Sequence, residues 1–255
     1  GFADALHVVP NNDLKFEICK VRASEFAREH GESILWPQCI DLAHDGACKQ
    51  KLDELEAQEK GAAVREKQRW MQRHDRDCEN LYGMFPLVRG LPVTLTEHLD
   101  RSSKGLLRGR KAVIIDWDLD EADESRTFPP GEDTVLHKVP KAVYVRFENV
   151  DWKLDGTDRT GIYPVPPIKK IWTFGKKGRM KGKMSVKRQQ IPLAPAYAST
   201  AYSVQGMTLV KAIVNLCFSV LTSVITGYIA LSRVKTRHDI LIMQPFRLEP
   251  FQQGV

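Results

Sequence analysis

Thr200-Ala-Tyr-Ser-Val-Gln205-Gly206-Met-Thr208 decides how this chain is read, together with Tyr228-Ile-Ala-Leu-Ser-Arg233-Val234, which begins 20 residues after Thr208. Each stretch carries a chemistry of its own. Glycine has no Cβ to hold a ligand off, so the backbone amides of a Gln-Gly turn can approach a phosphate closely. An arginine just after a short apolar helical run can reach across a cleft and grip a phosphoryl group through its planar fork.

Further segments fall in order around these two. Leu6-His-Val-Val-Pro10-Asn11-Asn12, followed by Val21-Arg22, reads as a strand and a turn that opens a helix. Gly90-Leu-Pro-Val-Thr-Leu-Thr, Leu99-Asp100-Arg and Gly105-Leu-Leu-Arg-Gly109-Arg110 follow. Val186-Lys-Arg-Gln189-Gln-Ile-Pro192-Leu-Ala-Pro-Ala-Tyr197-Ala leads into the Gln-Gly turn, and Asp239-Ile-Leu-Ile-Met-Gln-Pro245-Phe246 closes the series. In order and spacing these segments resemble motifs IV, V and VI of superfamily 1 DNA helicases. Within that superfamily they look most like the Pif-family helicases and the helicase part of Helitron transposons. The resemblance covers most of the chain, except roughly residues 30 to 80 and 115 to 185. The chain departs from the family at Tyr202, where His is usual, at Ser203 and Val204, and at Cys19, where Asn is common. Tyr202 can stack on a base but has no imidazole proton to move.

The resemblance implies an α/β fold: a second RecA-like domain, a parallel sheet with helices on both faces, interrupted by a small β-rich, barrel-like insert. The expected division is 1–115 for the first part of that domain, with a charged helical insertion at about 30–80, then 116–184 for the insert and 185–255 for the remainder. Arg233 is implied as the arginine finger on the γ-phosphate of ATP, a role worth roughly 10³–10⁵ in rate. Gln205 and Gly206 would link the nucleotide to the DNA track. Thr200, Tyr202 and Thr208 would lie on the single-stranded DNA side, with Thr200 on a phosphate, and Asn12 would help orient the strand. No Gly-x-x-x-x-Gly-Lys-Ser/Thr loop occurs in the sequence, so ATP and Mg²⁺ would be bound mainly by an N-terminal RecA-like half that this chain lacks. The expectation is therefore a fragment that becomes an ATP hydrolase only within a complete protein. Two readings of other classes stand beside it: a decayed, transposon-derived DNA-binding remnant without catalysis, and a small basic membrane-anchored protein.

Charge supports a polyanionic partner. The formal net charge is +6, and 42% apolar with 27% charged residues fits a globular protein. From Arg159 to His238, an 80-residue window, there is no Asp or Glu but there are 14 Lys or Arg. Such a window supplies non-specific affinity for a nucleic-acid backbone. Its densest part holds Lys176, Lys177 and Arg179, read here either as a DNA-contacting loop or as a solvated basic loop. Residues 116–133 carry eight acids and read as an exposed loop that repels DNA. Five scattered cysteines (19, 39, 48, 78 and 217) show neither paired spacing nor metal-ligand spacing. They point to a reducing compartment, nucleus or cytoplasm.

Local patterns complete the reading. Asn11 or Asn12 caps a helix whose buried face is expected to hold Leu14, Ile18, Val21 and Phe26, and Gly31 ends it. Residues 49–80 read as charged helix with Leu52, Leu55, Val64 and Trp70 as apolar anchors. Strands are expected at Val93–Thr96, Ala112–Trp117, Ala142–Phe147 and Ile168–Phe174. Trp152, Tyr163 and Trp172 are either core or stacking residues, and Tyr228 is expected in the core. The charge-free run Ala212–Ser232 is long enough for a membrane span. Its Val, Ile and Thr content suits a buried strand at Ala212–Leu216 and a helix around Thr226–Ser232 better.

Overall fold

The apolar run Leu6-His-Val-Val forms strand β1 (Leu6–Val9) in the computed structural model, which describes residues 1–129, 131–175, 183–217, 224–248 and 251. Elements are numbered along the chain. By internal contacts the chain divides into two units, one of Gly1–Arg22 with Pro195–Val255 and one of Ala23–Ala194.

In the first unit β1 lies in a parallel sheet with β12 (Ala198–Thr200), β13 (Ala212–Val214) and β14 (Ile240–Ile242), in the order β12-β1-β13-β14. Parallel strands covered on both faces read as apolar runs. Val8, Ala212 and Val214 are accordingly buried, in one cluster with Val204, Leu209, Leu216, Ile229 and Ala230. The last two lie on a helix over Val224–Leu231, the fifth along the chain and labelled α5 below. The strand-then-helix reading of Ala212–Ser232 thus holds, and among the described residues no helix is long and apolar enough to cross a membrane.

Helix α1 (Asn12–His30) starts where Asn11 Oδ1 accepts the Leu14 amide at 2.9 Å, so Asn11 is the capping residue. It ends at Gly31, whose φ of 65° favours glycine. The buried positions of α1 are Cys19, Ala23 and Ala27. This corrects the expected face in part: Val21 is 53% exposed, Leu14 and Ile18 are half-buried, and Phe26, also half-buried, falls on the Cys19 side. At about 100° per residue the Leu14–Ile18–Val21 stripe lies on the opposite side from Cys19–Ala23–Ala27. Small side chains let a helix lie close to its support, and Cys19 Sγ sits 3.2 Å from the Pro195 carbonyl oxygen.

The second unit holds three sheets. β2 (Leu35–Pro37) pairs parallel with β6 (Thr134–Leu136). β3 (Ile40–Ala43), β10 (Met184–Gln190) and β9 (Ile168–Phe174) form an antiparallel sheet in the order β3-β10-β9. β11 (Leu193–Pro195), β4 (Pro92–Leu95), β5 (Lys111–Asp118), β7 (Ala142–Arg146) and β8 (Ile162–Val165) form the third, in the order β11-β4-β5-β7-β8. Its alternating inward residues Val93, Ile114, Val143, Val145 and Val165 are fully buried. All four strands expected from the sequence are present. β5 runs through the division expected at 115/116, and β9 and β10 form one hairpin across that expected at 184/185. Each sheet has two edge strands among the described residues, so the β-rich part consists of sheets and not of a closed barrel.

The charged insertion is helical, as expected. Asp45 caps α2 (Gly46–Gln58) by accepting the Cys48 amide at 2.7 Å, a bond that holds its carboxyl below the usual carboxylate range. Glu56 reaches over the turn to the Gly61 and Ala63 amides at the start of α3 (Ala62–Met71). Cys48, Leu52 and Trp70 cover one face of the β3-β10-β9 sheet, in a cluster with Cys78, Trp172 and Val186. Leu52 and Trp70 are anchors as expected, whereas Val64 is 59% exposed. Trp172 belongs to this core, while Trp152 and Tyr163 are half-buried.

A charged group lies inside the same core. Arg188, with no exposed side-chain surface, meets Asp41 through Nε at 2.9 Å and Nη2 at 2.7 Å, and donates to the carbonyls of Leu81 (3.1 Å) and Trp70 (2.6 Å). Burial pushes the Cys78 thiol beside it up to about 12 and raises Cys39 further, although the Arg188 charge works against both. A second buried carboxylate, Asp123, sits on the single turn α4 (Glu121–Glu124). Burial works against its charge. Arg126 at 2.6 Å and the His137 and Lys138 amides outweigh that and hold it below the usual range.

Candidate functional site

The Gln-Gly stretch follows the carboxyl end of β12, beside the carboxyl end of β1: Val9 and Thr200 are register partners. In open parallel sheets, ligand sites form outside the carboxyl ends of the strands. Thr200 hands the chain to a 3-10 turn over Ala201–Val204, and its Oγ1 lies 2.9 Å from Ser203 Oγ. Ala201 and Val204 point into the core, so Tyr202, Ser203, Gln205, Gly206, Met207 and Thr208 are all left at the surface. Gly206 has φ 81°, and nothing lies within 4 Å of where a Cβ would stand. Glycine is needed there for the backbone conformation, and the space beside it is open. Leu209, again buried, ends the loop.

The second stretch meets the first directly. The Leu209 amide donates to the Arg233 carbonyl at 2.7 Å. The Arg233 guanidinium, just past the end of α5, donates through Nε to Ile229 O (2.9 Å), through Nη1 to Met207 O (3.4 Å) and through Nη2 to Ser232 Oγ (2.7 Å). It therefore shares a helix-end carbonyl with the Ser232 hydroxyl (3.0 Å), where positive charge is favoured, and ties the helix to the Gly206–Met207 turn. Of the five N–H groups of a guanidinium, these bonds use three, leaving one on each terminal nitrogen.

The other expected residues are placed as follows. Tyr202 is 58% exposed, and its hydroxyl oxygen lies 3.4 Å from Thr226 Oγ1 of α5. Asn12 is the first residue of α1, half-buried, and its neighbour Asn11 makes the cap. Thr208 is exposed. Lys176, Lys177 and Arg179 lie outside the described residues. Tyr228 corrects the sequence reading: it is 70% exposed, because α5 turns Thr226, Ile229 and Ala230 inward and Tyr228 outward. Thr226 and Ser232, which hold Tyr202 and Arg233, were not singled out from the sequence, and Ser203, which holds Thr200, was noted only as a departure from the family. Their only sequence signal is a hydroxyl close to each motif residue. Among the described residues no group of three or more His, Cys, Asp or Glu is placed to hold a metal ion.

A parallel sheet with helix packed against it and turns at its carboxyl edge is the RecA-like arrangement, and the chain has that fold. No protein-family model matches it, and no curated protein matches it at a significant level. Solved structures do. The chain is similar to the Pif1 helicase from Candida albicans, with a TM-score of 0.53 and 15% identity over 96% of this chain and 46% of that one. It is similar to Bacteroides Pif1 bound to ssDNA, with a TM-score of 0.53 and 15% identity over 94% and 40%. It is also similar to Pif1 from Bacteroides in complex with ADP-AlF3 and ssDNA, with a TM-score of 0.52 and 16% identity over 94% and 40%. At these identities the likeness is one of fold, and the chain spans less than half the length of each.

Proposed function

We propose that this chain is the second RecA-like half of an ATP-dependent DNA helicase, supplying an arginine finger and contacts to single-stranded DNA. The observation that carries the proposal is the junction of the two stretches. The Leu209–Arg233 backbone bond and the Arg233–Met207 contact couple a helix-end arginine to an open glycine turn. A residue that answers to phosphate and a loop that answers to DNA would then move together. The fold neighbours support this reading, since one of them is described with ssDNA and another with ADP-AlF3 and ssDNA.

The residues present fit one wall of a nucleotide site. Arg233 would meet the outermost phosphate with its two remaining N–H groups, and Gln205 and Gly206 would lie along the same wall. ATP and Mg²⁺ would be held mainly by the N-terminal RecA-like half, the proposed intramolecular partner. Thr200, Tyr202, Thr208 and Asn12 would face the DNA strand, Tyr202 by stacking. Lys176, Lys177 and Arg179 enter on charge alone. A nuclear or cytoplasmic setting belongs to the same proposal.

The test uses the complete protein containing this chain. Arg233→Ala should abolish ATP hydrolysis while single-stranded DNA binding falls little, and Arg233→Lys should rescue poorly because a point charge does not reproduce the fork. Near-normal turnover in either variant would remove Arg233 from the nucleotide site.

A further inference from the structure

A groove lies on the outer face of β5, β7 and β8. Tyr144 stands between Val143 and Val145, both fully buried, so its ring faces away from the core. Register puts Pro164 beside it and Ile162 two positions along the same face of β8. On β5 the pairing steps from Ile114 with Val145 to Asp116 with Tyr144, so Ile115 is the extra residue of a bulge. The bulge re-aims the strand: Ile114 is buried, while Ile115 and Asp116 both line the groove.

The other wall is a short hairpin that leads into β8. The Gly161 amide donates to the Trp152 carbonyl at 3.0 Å, and Lys153 bridges to Thr160. At its tip the Leu154 carbonyl accepts the Thr157 amide at 3.2 Å. Leu154, Asp155, Thr157 and Arg159 face the groove from this hairpin, and the space enclosed is about 440 Å³.

The floor is apolar, made by Ile115, Tyr144, Leu154, Ile162 and Pro164, and the rim is charged. Asp116 gives Oδ1 to Arg89 (2.9 Å) and to the Trp117 amide (3.0 Å), while its Oδ2 takes no bond among the described residues. The Asp155 carboxylate and the Arg159 guanidinium have neither hydrogen bond nor ion pair among the described residues. Asp116 marks the β5 end and Arg159 the β8 end, about 10 Å apart at ordinary strand spacing.

We propose that this groove binds an extended peptide segment of a partner protein. One bulky apolar side chain fills the floor, a basic residue meets Asp116, and an acidic residue meets Arg159. About 10 Å is the length of three extended residues, which sets the spacing of the two charges on the peptide. An apolar floor between charges of opposite sign complements such a segment. The same rim opposes a polyanion, since Asp116, Asp155 and Asp118, which accepts the Tyr144 hydroxyl at 2.6 Å, stand on or beside it. The site lies wholly within Ala23–Ala194 and does not rest on the helicase reading.

The test pans the full chain against a random heptapeptide phage library, then titrates the enriched peptides, labelled, by anisotropy. They should carry a large apolar residue between a Lys or Arg and an Asp or Glu. Arg159→Glu changes a side chain without partners, so it leaves folding alone. It should weaken these peptides about three- to tenfold, and exchanging the peptide's acid for Lys should restore binding to that variant. Leu154→Asp should weaken binding about tenfold, with the urea midpoint of tryptophan fluorescence unchanged. If Leu154→Asp unfolds the chain, the Arg159→Glu charge exchange decides alone. The proposal is overturned if no peptide is enriched, or if enriched peptides bind Arg159→Glu as tightly as the parent. Displacement by a single-stranded or duplex oligonucleotide would assign the groove to nucleic acid instead. Dimerisation relieved by Leu154→Asp would assign it to a second copy of this chain. Either result also overturns the proposal. Arg233→Ala should leave peptide affinity unchanged, which separates failure here from failure of the motor assignment.

Discussion

Replacing Arg188 tests how the second unit is held together. The side chain has no exposed surface, and its partner Asp41 has 4% of its own. Arg188→Ala removes two charge-assisted bonds to Asp41 and the donors to Leu81 O and Trp70 O. The dominant penalty is the carboxylate left buried without its counter-charge, about 3–5 kcal/mol when one partner of such a pair is removed. All five tryptophans (36, 70, 117, 152 and 172) fall within Ala23–Ala194, so their fluorescence reports the unfolding of this unit alone. With a urea dependence of about 2 kcal/mol per molar, the midpoint should fall by about 2 M. Asp41→Ala should fall comparably, since it strands the guanidinium instead. The double variant should be more stable than the sum of the two losses requires, by about 2–3 kcal/mol, the coupling expected for residues in direct contact. It should not recover fully, because the Leu81 carbonyl loses its Arg188 donor at about 1–3 kcal/mol, whereas the Trp70 carbonyl keeps the Arg73 amide at 3.0 Å. Arg188→Lys should resemble alanine more than the parent, since one ammonium cannot serve four acceptors in a plane. A loss below about 1 kcal/mol for Arg188→Ala, or additive single losses, would refute the reasoning that the pair staples β10 to β3 and to the helical insertion.

Three further outcomes follow from single sites. Asp123 is held below the usual carboxylate range, so its contribution is present above the unfolded value near 4 and is lost as pH falls through the lower folded value. Asp123→Asn should destabilise the tryptophan-bearing unit by about 1–3 kcal/mol at neutral pH and flatten its loss of stability below about pH 4, as read by urea midpoints at several pH values. In thiol labelling of the native chain, Cys217, which is exposed, should react well before Cys19, Cys48 and Cys78, which are buried, and Cys39, whose thiol burial holds protonated. Prompt labelling of Cys78 would contradict the packing around Arg188. Tyr202→Ala should weaken single-stranded DNA binding by about 1–3 kcal/mol if the ring stacks on a base, while Tyr202→Phe should hold affinity; equal losses would point to the Thr226 hydrogen bond instead.

The sequence alone determined the local elements. Strands β4, β5, β7 and β9 were legible because apolar and β-branched residues cluster between Pro, Gly and acidic turns. The cap at Asn11 and the stop at Gly31 were legible because both act through the backbone within a few residues. The motif pair around Gly206 and Arg233 was legible by type and spacing. Only the tertiary structure decided what depends on distant neighbours. Nothing in Val186-Lys-Arg-Gln189 says that Lys187 faces water while Arg188 is the buried charge. That follows from pairing with β3, whose Asp41 lies 147 residues away along the chain. The α1 face was misread because aliphatic size was taken as the guide, whereas the helix rests on Cys19, Ala23 and Ala27. Tyr228 was placed in the core by its apolar context, yet the rotation of α5 is set by which residues fill the space over β1 and β13. One local period admits several rotations and partners, and long-range packing selects among them.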